Sequence, residues 1–167
     1  MVAFNIADLR PIRTQSELLR RFWQHRVLGT PDADLRERII QNACRFMIAD
    51  RRLRIGRQKI VEPGSSAALQ ALLSEQVLIE WQTHSAAVPD RQIIAFAHNI
   101  LFDFAASQLF LPRDADQVAE VLSRDQDLVL IIRPSFVMRF EQLWREDRAE
   151  FWKLLFHVSA APEIPTI

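Results

Sequence analysis

His98 has more chemistry within its reach than any other residue of the chain. It stands where an apolar segment, Gln92–Phe96, gives way to the apolar run Asn99–Leu111, and Asp103 follows five residues on. An imidazole at such a junction can direct a ring N–H at an anion in a neighbouring cleft. The neutral ring supplies one donor, and protonation adds charge to the bond. A helix beginning there contributes free backbone N–H groups and the positive end of its dipole. The plainer use of His98 is to pack against the preceding strand and satisfy a carbonyl. Asp103 reads as a local helix partner rather than a catalytic acid.

A second candidate is the basic cluster Arg51, Arg52, Arg54, Arg57 and Lys59. Such charges neutralise phosphates in nucleic-acid interfaces. The helix that would read bases, Ser66–Glu75, carries no cation, and only Gln70 has a side chain suited to base edges. The sequence therefore argues against DNA binding and for a solvated basic face or a domain interface. A small DNA-binding regulator and a passive helical adaptor remain the rival classes.

Other combinations carry less. His25, His84 and His157 lack metal-ligand spacing. Ser135, Asp147 and His157 contain the residue types of a triad, but no nucleophile elbow surrounds the serine. Cys44 sits among Ala43 and Phe46 and reads as a small core residue. As the only cysteine, it excludes an internal disulfide and points to a reducing, cytoplasmic setting. The phosphate-cradling pattern G-x-x-x-x-G-K-[ST] is absent, and Gly29, Gly56 and Gly64 are too scattered to replace it. No apolar strand ends in paired acids to hold Mg²⁺. The chain is expected to catalyse nothing and to bind no cofactor or metal by itself.

These residues need elements to position them. With 167 residues, 49% of them hydrophobic, the chain can bury a core, and 21 basic residues balance 21 acidic ones. Leu128–Ile132, as long as any wholly apolar run in the chain, is too short to span a bilayer. The apolar spacing predicts a helix from Thr14 or Ser16 to Val27. A second helix has Thr30 as N-cap and Pro31 at its first position. In it Leu35, Ile39, Ala43, Phe46 and Met47 form the inner face, with Arg36, Arg38, Gln41, Asn42 and Arg45 on the solvated side. Arg51–Gly56 alternates like a short strand, with a helical turn near Gln58–Val61. Pro63-Gly64-Ser65-Ser66 makes a turn and a cap, and Ala68, Leu69, Leu72 and Leu73 the next helix. Val77–Gln82 and Gln92–Phe96 make a hairpin joined by the polar Thr83–Arg91. Helices follow, around Val118–Leu122, across Asp127–Ile132, from Phe136 to Trp144, and from Phe151 to Leu155; the aromatics of the last two read as core. The proline-rich tail from Ala160 is extended.

Helix, short strand, helical turn, helix and hairpin is the winged-helix order. The expected fold is mainly α (α+β): a winged helix with a β-hairpin wing, an N-terminal helix before it and a helical segment after it. The expected boundaries are 1–29 for the connecting helix, 30–111 for the winged helix and 112–167 for the C-terminal segment.

Phe96, His98, Leu101, Asp103, Phe104, Ala105 and Ala106 resemble the end of the winged-helix domain in STAND-type signalling ATPases, NACHT proteins included. The flanks Glu17–Trp23, Leu72–Leu78, Arg133–Phe136 and Leu143–Trp152 are similar to bacterial versions of the family, so the resemblance spans most of the chain. It implies that His98 reaches the phosphates of ADP or ATP held by a P-loop domain, supplied in cis or in trans. It also implies that helical repeats downstream receive the signal. The missing P-loop makes the chain a piece, or a truncated or split relative, of such a protein, and a truncated end would favour self-association.

Overall fold

In a computed structural model, residues 14–81, 92–112, 114–124 and 126–160 are described. The N-terminal stretch before Thr14, most of the hairpin connection and the tail after Ala160 lie outside them. So do the sequence expectations that fall there. Among the described residues the architecture is mainly helical, with seven α-helices and one small three-stranded antiparallel sheet.

Helix α1 (Gln15–Trp23) begins at Thr14, whose hydroxyl accepts the Glu17 N–H at 3.2 Å, and runs into a π-helical turn, Gln24–Leu28. Helix α2 (Ala33–Ala49) starts later than Thr30 and Pro31 suggest. Asp32 is the residue before it, and the Thr30 hydroxyl donates backwards to the Val27 carbonyl at 3.0 Å. The Thr30 side chain thus closes the preceding turn, and the expected cap is corrected. Ile39, Ile40, Ala43, Cys44, Met47 and Ile48 are buried along α2, the stripe expected of a helix with one face in the core.

The strand expected over Arg51–Gly56 shrinks to β1 (Ile55–Gly56). Arg51 adopts φ 53°, its N–H reaches the Ile48 carbonyl, and the Arg52 N–H reaches Met47. This is a Schellman exit from α2, in which the backbone must turn left-handed before a strand can start. A 3₁₀ turn over Arg57–Lys59 follows. Glu62 to Ser65 then form a turn closed by the Ser65 N–H on the Glu62 carbonyl, with Gly64 at φ 84°, where a side chain would be strained. Helix α3 (Ser66–Ser74) ends in a second Schellman exit, with Gln76 at φ 56°.

Strands β2 (Leu78–Trp81) and β3 (Ile93–Phe96) pair antiparallel, with Leu78 opposite Phe96 and Trp81 opposite Ile93. Strand β1 joins the other edge of β3, giving the order β1-β3-β2. Helix α4 (Asn99–Ala105) follows β3 after two residues and passes into a π-helical turn, Ala106–Phe110.

Helices α5 (Ala115–Arg124), α6 (Gln126–Glu146) and α7 (Arg148–Ala160) complete the fold. The two helices expected around Pro134 are one. Proline removes a single N–H from the ladder, and Pro134 is exposed, so water can reach the carbonyl left without its helical donor. Val129, Ile132, Phe136, Arg139 and Leu143 form the buried side of α6. Asp147 accepts the N–H groups of Ala149 and Glu150, both at 3.1 Å, and so caps α7. No described helix is long and apolar enough to cross a membrane.

Candidate functional site

The β3–α4 junction is anchored on both sides. Upstream, the Ala97 N–H donates to the Val77 carbonyl at 3.1 Å. Downstream, the Leu101 N–H donates to the His98 carbonyl at 2.9 Å. Phe96 and Phe102 pack edge to face beneath it, centroids 5.7 Å apart. His98 has extended dihedrals, φ −139° and ψ 143°, and its side chain makes no capping bond to α4. It is exposed, and among the described residues its ring has no hydrogen-bond or ion-pair partner.

A groove runs along the sheet beside this junction. Leu53, Ile79, Trp81 and Phe96 supply apolar wall, and Arg54 lies over the Trp81 ring, 4.3 Å from its centroid. Ala97 and Asn99 both line the groove; His98 between them does not. The imidazole is exposed beside the groove but is not one of its lining side chains, as expected in extended backbone, where successive side chains point to opposite sides.

Asp103 has a longer-range role than a local helix partner. Its carboxylate accepts the Ser135 hydroxyl of α6 at 3.4 Å. Burial pushes its carboxyl above the ordinary value of 3.8, and the Ser135 bond offsets part of that rise. Cys44 of α2 feels the Asp103 charge, but it is chiefly burial that pushes its thiol far up. Asp103 thus lies where α2, α4 and α6 meet. The Ser135, Asp147 and His157 set is not assembled: Ser135 serves Asp103, Asp147 caps α7, and His157 Nδ1 is 3.2 Å from Asp116.

The basic cluster is largely engaged within the chain. Arg51 pairs with Asp127 at 2.8 Å, Arg57 with Glu80 at 3.0 Å, and Lys59 with Asp50 at 2.7 Å. Arg57 also donates to Gln92 at 3.0 Å, and Arg54 stacks on Trp81. Arg52 is exposed.

Arg36 was expected on the solvated side of α2 and is instead buried. Its guanidinium contacts Asp32 at 2.9 Å and Glu75 at 3.1 Å and donates to the Arg26 carbonyl at 2.6 Å. Burial alone would raise the Asp32 carboxyl, but the Arg36 bond, a backbone bond and the Arg36 charge outweigh it and hold Asp32 below 3.8. The Asp32–Arg36 spacing is visible in the sequence; Glu75, from the end of α3, is not.

Among the described residues no group of three His, Cys, Asp or Glu side chains could hold a metal ion. No family model matches the chain, and neither a curated protein nor a solved structure matches it.

Proposed function

We propose that the chain is a non-catalytic regulatory arm of a STAND-type NTPase: a winged helix that senses nucleotide held by a separate P-loop segment and passes that state to helical neighbours. The observation that carries this reading is His98, exposed at the β3–α4 junction with no hydrogen-bond or ion-pair partner among the described residues. Two features support the winged-helix part. They are the element order α2, β1, 3₁₀ turn, α3, β2, β3 and the strand order β1-β3-β2. A ring free of internal bonds can donate to a phosphate in one state and to water in another, which is the differential contact that coupling requires. The engaged basic cluster favours this reading over a DNA-binding regulator.

The test pairs the chain with its P-loop segment, in cis or in trans. His98→Ala is expected to speed ADP release from that assembly, while the chain alone shows no ADP or ATP binding by calorimetry. Unchanged ADP release, or micromolar binding to the chain alone, overturns the proposal.

A further inference from the structure

Helix α6 has a buried side and a second side that stays largely exposed although α1 borders it. Round the helix from the side that carries Phe136, a second stripe runs along the exposed residues Leu130, Arg133, Pro134, Val137, Glu141 and Trp144, with Gln15, Ser16 and Leu19 of α1 lining a groove beside Arg133, Pro134, Val137 and Glu141. At 100° per residue the stripe residues of α6 fall within an arc of about 100° on the helix. Leu130 is 66% exposed, Val137 43% and Trp144 40%. The spacing of these three is seven residues each time, the repeat that keeps one helix facing another. The strip is about 21 Å long at 1.5 Å per residue. Beyond Trp144 it continues onto α7 through Trp152 and Phe156, with ring centroids 6.2 Å apart at each step.

The charges on the strip say what covers it. Arg133 has no ion-pair partner among the described residues. Glu141 is held in place by the Ser16 hydroxyl, which donates to Oε2 at 2.6 Å, and remains exposed. Arg133 and Glu141 lie four residues to either side of Val137, and Leu130 and Trp144 lie seven. A strip with apolar ends and charges of opposite sign at equal distances from its centre is complementary to itself in charge when reversed. Two copies laid antiparallel about Val137 place Arg133 of one against Glu141 of the other, twice, and Leu130 against Trp144, twice. This is an isologous two-fold contact.

We propose that this face of α6 binds a second copy of the chain, antiparallel, with Val137 on the two-fold axis. The proposal rests on the α6 surface alone and is independent of the role given to His98.

Sedimentation of the purified chain is expected to show concentration-dependent dimers. Arg133→Glu and Glu141→Arg should each weaken dimerisation at least tenfold, and the double variant should restore it. Since all these positions are exposed, circular dichroism should show the variants folded. Separately, Val137→Cys is expected to cross-link between copies on mild oxidation, because the two-fold brings that position against itself. Leu130→Cys should not, since it faces Trp144. A chain that stays monomeric at high micromolar concentration overturns the proposal, as does a double variant that dimerises no better than the single ones. Cross-linking through Leu130→Cys in preference to Val137→Cys does so too.

Discussion

Around α2, α3 and the sheet, charged side chains are consumed inside the chain; along α6 and α7, apolar side chains are left outside it. Arg36 is buried against two carboxylates and a carbonyl, and Arg51, Arg57 and Lys59 each hold an acid. Trp144, Trp152 and Phe156 by contrast form an aromatic ladder open to solvent on one side, with Arg148 stacked 3.6 Å from the Trp144 centroid. The difference separates two uses of sequence. Charge paired within the chain, buried at Arg36 and at the surface for Arg51 and Lys59, offers little to a neighbour. Uncovered apolar surface does little for the single chain and is available for association.

The largest expected effect tests the charged side of this contrast. Arg36→Met leaves Asp32 and Glu75 without their shared cation and should cost about 3 kcal/mol in urea denaturation at pH 7. The pH dependence has a definite sign. Asp32 titrates lower in the folded chain than unfolded, so its contribution is present above 3.8 and is lost as pH falls through the lower folded value. The gap between wild type and variant should therefore close only on strong acidification. A loss below 1 kcal/mol at pH 7 would break the comparison at its charged end.

Asp103 sits at the seam between the two regions, and its variant should move stability the other way. Its carboxyl is pushed up by burial, so the folded chain favours the protonated form. That favourable contribution is complete below 3.8 and is lost as pH rises through the folded value. Asp103→Asn removes the cost of ionisation and should raise the thermal midpoint at pH 7, with the advantage fading as pH drops to 3.8 and below. A midpoint lowered at pH 7 would show that the Ser135 bond outweighs desolvation there.

The smallest effect is on the apolar surface. Phe156 is 66% exposed, and Phe156→Ala should change the unfolding free energy of the monomer by less than about 0.5 kcal/mol. A loss of 2 kcal/mol or more would mean that the ladder belongs to the core.

The β3–His98–α4 junction was legible because the apolar strand, the histidine and the apolar helix follow one another directly. The order of helices and strands around it was legible for the same reason. The burial of Arg36 was not, since its second acid arrives from α3, and an arginine between apolar positions reads as solvated. The continuity of α6 was hidden by Pro134, which breaks most helices and is tolerated here on an exposed face. Asp103 looked local because Ser135 lies 32 residues away. The Arg51 and Gln76 exits were concealed because neither is the glycine that usually marks a left-handed turn. One missed signal was present in plain view: Asp147 followed three residues later by Glu150 is a capping pattern for α7.

Cys44 is wholly buried in α2 and is the sole thiol of the chain. Its pushed-up proton affinity and its lack of contact with water deny a thiol reagent both the thiolate and the route in. Reaction must wait for α2 to part from its neighbours, so the rate of labelling serves as a clock for opening, already installed in the natural sequence.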